Sequence, residues 1–279
     1  MKAERQVQPR FRFWDVITAI LLAATILLVA DWISRTQKRV ELGPRTVPIR
    51  YQPVALDLSG LGPLKLVGAW ELSAPDRRFG GVSALAIEND ALLAMSDHGV
   101  IMTFSKPGAA RPSVRLDEVS AGPGDPGQKR NRDVESLLRD PSGRGWWVGF
   151  ENRNRLWLFD RDFARVVAGL KIGRGWPNSG FEAVAYRDGK LLLVPEGGRR
   201  LLSVTPAGTE EQWERIPAGP VSDALAMPDG TLLLIQRKAG LDGFDNRLVQ
   251  LRRESGGYRL IQSIPLGVSW RDNMGRHYI

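Results

Sequence analysis

The residues of this chain that could do chemistry are regularly spaced carboxylates. Asp133, Glu135, Glu151, Glu182, Glu196 and Asp223 each stand at one end of a short apolar run, and Asp97 is followed by His98. Carboxylates held close together repel, so such a set needs a cation, a shared proton or cationic partners. Hard oxygen donors in that number suit Ca2+ or another divalent cation. A cation held there would orient and polarise a phosphoryl group while one Glu acts as general base on water. Glu135 and Glu182 are the candidates for metal ligand or base, with the Asp97–His98 pair beside them. Arg132, Arg153, Arg155, Arg199 and Arg237 adjoin the same run ends, and Arg132, Arg153 and Arg237 are the candidates for holding a small anionic ester. The competing use of these residues is structural, as salt bridges tying neighbouring strands.

Other catalytic devices are missing. The chain has no Gly-x-Ser-x-Gly and only two histidines, His98 and His277, which leaves little room for a Ser-His-Asp triad. With no cysteine there are no disulfides and no thiolate chemistry. No phosphate-gripping glycine loop opens a helix, and no histidine-rich metal motif occurs. The nine tryptophans read as core rather than as a sugar platform.

The elements that must position the acids repeat. Each repeat has a polar residue, an apolar run, a turn, a second apolar run and a closing polar residue. The four copies run from Ser83 to Asp97, Glu135 to Glu151, Glu182 to Glu196 and Asp223 to Arg237, spans of 14, 16, 14 and 14 residues. Successive starts lie 52, 47 and 41 residues apart, the period of propeller blades. The expected fold is therefore all-β and β-propeller-like, with about five to six blades, the last one incomplete. In that architecture equivalent strand ends converge on one face, which gathers the scattered acids. Leu191–Val194 and Leu232–Ile235 are too continuous for one-sided strands and suit strands buried between packed sheets. Trp157–Phe159 and Leu201–Val204 read as third strands. The Gly- and Pro-rich stretch 120–131 reads either as a solvated insertion or as a mobile cover. As a cover it would turn Lys129, Arg130 and Arg132 toward an anionic substrate.

The net charge of +8 is unevenly spread. Residues 1–50 hold nine Lys or Arg against four acids, leaving 30 against 27 in the rest. The excess flanks an apolar segment, where basic residues are ordinary, so nucleic acid is not an expected partner. Residues 13–33 contain about 18 apolar positions bracketed by Phe13, Trp14 and Trp32, which predicts a signal anchor. A cleaved signal peptide ending at Leu28-Val29-Ala30 is the alternative. The expected organisation is a basic cytoplasmic stretch 1–12, a membrane helix 13–33, a Pro-containing tether 34–63, and an exported domain 64–279. This places the domain in a bacterial periplasm, held at the inner membrane by a single pass.

These repeats resemble the phytase-like domain family, described as having the esterase-like activity of phytase. The resemblance rests on Gly80-Gly81-Val82-Ser83 with Ser96-Asp97-His98-Gly99, and on Arg132-Asp133-Val134-Glu135. It continues with Asn178-Ser179-Gly180-Phe181-Glu182-Ala183 and Ser222-Asp223-Ala224, and covers roughly residues 60–274. It implies a propeller-like fold in exported bacterial proteins, and hydrolase activity. Ser136 and Ala183 stand where the family often has Gly after the motif Glu, which leaves the carboxylates in place. The family pattern continues past Asp272-Asn273-Met274 with Glu-Gly and further strands, whereas Gly275–Ile279 follows here. A one-base frameshift after codon 274 would produce that ending, and a member shortened in this way would expose an unpaired strand edge. The leading expectation is metal-assisted hydrolysis of an ester, most plausibly a phosphomonoester. The alternatives are a non-catalytic binding or assembly module of the cell envelope and a lactonase-like propeller.

Overall fold

The computed structural model describes Thr25 and residues 42–55, 61–151, 153–173, 180–209, 211–240, 243–271 and 277–278. Apart from Thr25, the expected membrane segment lies outside them, as do Asn178, Ser179 and Asp272–Met274. Among the described residues no helix is long and apolar enough to cross a membrane.

The chain forms strands β1 (Arg45–Pro48), β2 (Arg50–Pro53), β3 (Trp70–Ser73), β4 (Val82–Glu88), β5 (Ala91–Ser96), β6 (Val100–Ser105) and β7 (Ser113–Glu118). A single 3-10 turn, Lys129–Asn131, precedes β8 (Val134–Arg139), β9 (Trp146–Phe150), β10 (Arg155–Phe159) and β11 (Val166–Lys171). Then come β12 (Ala183–Arg187), β13 (Lys190–Val194), β14 (Arg200–Val204) and β15 (Gln212–Arg215). The last group is β16 (Val221–Ala226), β17 (Thr231–Gly240), β18 (Gly243–Glu254), β19 (Gly257–Arg271) and β20 (His277–Tyr278).

These strands make four antiparallel blades in a β-propeller arrangement: β4–β7 with β1 on the outer edge, β8–β11, β12–β15, and β16–β20. A two-stranded ribbon, β2–β3, stands apart from the blades in hydrogen bonding. The count falls short of the five to six blades expected, for two reasons. Residues 45–48, in the expected tether, pair with β7 instead of starting a blade. Residues 257–271 continue as one 15-residue strand against β18, so the last stretch of chain lengthens the fourth blade.

Alternation along the strands explains why the apolar runs are continuous. Neighbouring strand residues point to opposite sheet faces, and a blade packed on both sides needs both faces apolar. Trp146 joins the core between the first and second blades, with Met95, Val148 and Phe159, while Trp147 joins the next core, with Leu158, Leu191 and Leu202. Leu191 and Leu193 likewise face the second blade, and Leu192 and Val194 face Leu232, Leu234 and Leu251 of the fourth. The inner strands carry small residues, Ala84, Ala183 and Ala185, where blades converge. Tight turns fit the sequence signals: Asp188 and Gly189 both take positive φ (51° and 81°) in the β12–β13 hairpin. The longer β8–β9 turn is organised by Asp140. Its buried carboxylate accepts bonds from Trp147 Nε1 (2.9 Å) and from Arg144 Nε (3.0 Å).

Candidate functional site

Three of the four inner strands share one local irregularity, and in the second blade it aims Glu135. In β4, β8 and β16 the ladder to the neighbouring strand skips a residue: Ser83, Glu135 and Ser222 are each left without a cross-strand partner. A bulge of this kind re-aims a side chain at a strand end. Glu182 precedes β12 at the equivalent place, because Ala183 pairs with Val194 as Ser136 pairs with Gly149. The recurring set is therefore Ser83, Glu135, Glu182 and Ser222. Asp223, expected to match Glu135 and Glu182, sits one position further along and pairs with Ile235. It is exposed, and its Oδ1 accepts the N–H of Ala224 at 2.7 Å. The bulge is common to β4, β8 and β16, so the offset comes from the β16–β17 turn, which is one residue longer than the turns of the first and third blades.

The second recurring position follows the second strand of each blade. The Asp97 N–H donates to Gly81 O (3.1 Å), the Glu151 N–H to Asp133 O (2.8 Å) and the Arg237 N–H to Pro220 O (3.0 Å). Asp97, Glu151 and Arg237 are thus equivalent, and Glu196 closes the third blade, its carbonyl accepting the Val221 N–H (3.2 Å). Only the second blade has acids at all three places. Carboxylate oxygens of Asp133, Glu135 and Glu151 all lie within 4.8 Å of one another, and each residue is partly buried.

The protonation of these acids reflects their crowding. Burial, reinforced by Glu182, Asp133, Glu151 and Asp97, pushes Glu135 up to about 9. Burial and then Glu196, Glu151 and Asp133 raise Glu182 to about 7. Asp133 rises to about 6, burial and Glu151 outweighing the attraction of Lys129. Six acids, Asp97, Asp133, Glu135, Glu151, Glu182 and Glu196, therefore act on one another as a single group. Asp97 goes the other way: against the cost of burial, His98 and Lys129 hold its carboxyl below the usual range. His98 Nδ1 lies 2.7 Å from Asp97 Oδ1, and its ring is half exposed.

Of the predicted anion-binding arginines, Arg132 has another use. Its guanidinium is fully buried and donates to the carbonyls of Val119 (2.8 Å), Ser120 (3.1 Å), Pro123 (2.8 Å) and Asn131 (2.7 Å). It fastens the loop 119–131 to the fold, so it does not face a substrate. Arg153 donates from Nη2 to Asn131 Oδ1 (2.7 Å), while its buried Nε has no partner among the described residues. Arg237 lies over the Phe244 ring, 4.2 Å from its centroid, with its buried Nε also unpartnered. Lys129, read from the sequence as part of either a solvated insertion or a cover over a substrate, reaches back to the acids, 3.4 Å from Asp133 Oδ2 and 3.7 Å from Asp97 Oδ2. No sequence pattern marks that contact, since the turn carrying Lys129 is held by side-chain bonds of Arg132 and Asn131 to distant residues.

Three oxygen-donor side chains at this separation, with two of them raised by burial and then by their acidic neighbours, fit a hard divalent cation. Asp133, Glu135 and Glu151 would hold it.

Comparison with known proteins gives one family and distant structural likenesses. No curated protein sequence matches. Among solved structures, the chain is similar to the RRP9 WD40 repeats (11% identity, 80% of this chain and 56% of that one, TM-score 0.44). It is also similar to Kuenenia stuttgartiensis hydrazine synthase (12%, 68% and 50%, 0.42) and to U3-55K (10%, 77% and 54%, 0.44). It spans about half the length of these chains. The sequence profile of the phytase-like family, "esterase-like activity of phytase", matches residues 77–259, which takes in all four repeats and the acids between the blades. On that match the chain belongs to the phytase-like family.

Proposed function

We propose that the second-blade acids form a hydrolytic site acting on a small anionic ester of the phosphomonoester class, with a divalent cation such as Ca2+. The observation that carries this reading is the convergence of Asp133, Glu135 and Glu151 within 4.8 Å. A cation bound by these three would supply polarisation of a phosphoryl oxygen and acidification of water. Glu182, raised to about 7, has the protonation balance of a general base or acid working near neutrality. His98, oriented by Asp97, is placed to carry a proton to or from solvent. Arg153 and Arg237, each with an unpartnered guanidinium nitrogen, are the anion-binding candidates that remain. Membrane attachment through residues 13–33 and a periplasmic location complete the proposal.

A second reading has its own support. Lys129 already offsets part of the acidic charge, as it would in a non-catalytic binding module whose acids only tie loops to blades. The two readings separate in hydrolysis assays on p-nitrophenyl phosphate, p-nitrophenyl butyrate and a simple lactone, each with Ca2+ and with chelator. Calcium-dependent release from the phosphate ester that disappears in Glu182→Gln supports the hydrolase. A folded protein inert toward all three substrates favours the module, and turnover of the lactone alone points to a lactonase.

A further inference from the structure

Lys129 stands in a constrained setting. It opens the 3-10 turn Lys129–Asn131, and every part of that turn is tied down. The N–H of Arg132 donates to Lys129 O at 2.7 Å, and the Arg132 guanidinium holds carbonyls on both arms of the loop. Asn131 donates to Asp125 O (3.0 Å) and accepts from Arg153 (2.7 Å). The side chain so delivered is only 20% exposed, and its ammonium lies between Asp97 of the first blade and Asp133 of the second. A solvated surface lysine would be free to swing away; this one is presented by a buried scaffold.

We propose that Lys129 is an internal counter-cation that sets the threshold for divalent-cation binding by competing for Asp133. The inference deepens the reading of Asp133, Glu135 and Glu151 as a cation site and rests on it. Asp133 cannot give its full charge both to the ammonium and to a metal. A cation entering the triad must therefore displace Lys129 or bind beside a positive charge a few ångströms away. The ammonium holds the acids together when the metal is absent and weakens the metal when it is present. The site is then selective for concentrated divalent cation over trace amounts.

Calorimetric titration of Ca2+ into the chelator-stripped full-length chain tests this in wild type, Lys129→Met and Lys129→Arg. Removing one positive charge at this range predicts about tenfold tighter calcium binding in Lys129→Met. Lys129→Arg, which keeps the charge, should bind as wild type does. Melting curves give a second readout: Lys129→Met should lose stability in chelator and recover it in calcium. Wild-type binding with Lys129→Met unchanged or weaker overturns the inference but leaves the cation site standing. A loss of stability that calcium does not reverse also overturns it, since Lys129 would then be a structural tie only. Absence of calcium binding in all three proteins overturns the cation site and this inference together. Should Lys129→Met fail to fold, Lys129→Gln is titrated in its place with the same expectations.

Discussion

Replacing Glu135 by Gln should make the metal-free protein more stable, an unusual outcome for a half-buried polar residue. The carboxyl carries 4.5 as its ordinary value and about 9 in the fold, pushed up by burial and by Glu182, Asp133, Glu151 and Asp97. The folded state therefore binds a proton more tightly than the unfolded chain. The stability associated with that proton is complete below pH 4.5 and is lost progressively as pH rises through about 9. At pH 7 the loss spans some 2.5 units, or about 3 kcal/mol at 1.36 kcal/mol per unit, an upper bound where water reaches the site. Gln keeps the shape and the hydrogen-bonding capacity without the titration. For a domain of this size, about 3 kcal/mol corresponds to roughly 6–12 °C in melting temperature. The assay is thermal or urea unfolding of wild type and Glu135→Gln in chelator from pH 4.5 to 9. The gain should be absent at pH 4.5 and should grow with pH. In saturating Ca2+ it should shrink or reverse, because the variant loses a ligand. A variant less stable than wild type at pH 7 in chelator, or a gain independent of pH, would refute the electrostatic reasoning.

Other outcomes follow from the same geometry. Arg132→Met leaves three buried carbonyls and the part-buried carbonyl of Ser120 without this donor and should cost on the order of 3–5 kcal/mol in urea unfolding. Proteolysis within residues 120–131 should speed up with it. Asp140→Asn should destabilise by about 1–3 kcal/mol at pH 7, because a charged acceptor for Trp147 and Arg144 becomes neutral. The Asp140 carboxyl is held low by Arg144 and Trp147 despite its burial. Its contribution is therefore present above the ordinary carboxylate range and fades as pH falls through the folded value, so the two proteins should converge in acid. Asp223→Asn should leave calcium-dependent turnover unchanged, since Asp223 lies off the register of Glu135 and Glu182. A loss there comparable to that of Glu182→Gln would contradict the assignment.

The blades were legible in the sequence because their signals are local. Continuous apolar runs such as Leu191–Val194 demand packing on both sides, and Asp188-Gly189 announces its own hairpin. The gathering of the acids was legible too, since a propeller brings equivalent strand ends together. What escaped the reading depends on contacts between distant residues or on irregular backbone. The turn between β16 and β17 is one residue longer than those of the first and third blades, and this makes Ser222, rather than Asp223, the counterpart of Glu135. Arg132 reads as a substrate clamp beside Asp133, yet its side chain turns into the preceding loop to satisfy carbonyls up to 13 residues away. That anchoring, together with the bonds of Asn131, turns Lys129 to the acids. The blade count was overstated because hydrophobic pattern alone does not say whether residues 257–271 begin a new sheet or extend an old one.

The most direct test of the cation site is a calcium- or manganese-soaked crystal examined by anomalous scattering. A single site bounded by oxygens of Asp133, Glu135 and Glu151, lost in Glu135→Gln crystals, is the predicted result. No bound cation at millimolar concentration, with the three carboxylates still clustered and Lys129 in place, would contradict the account.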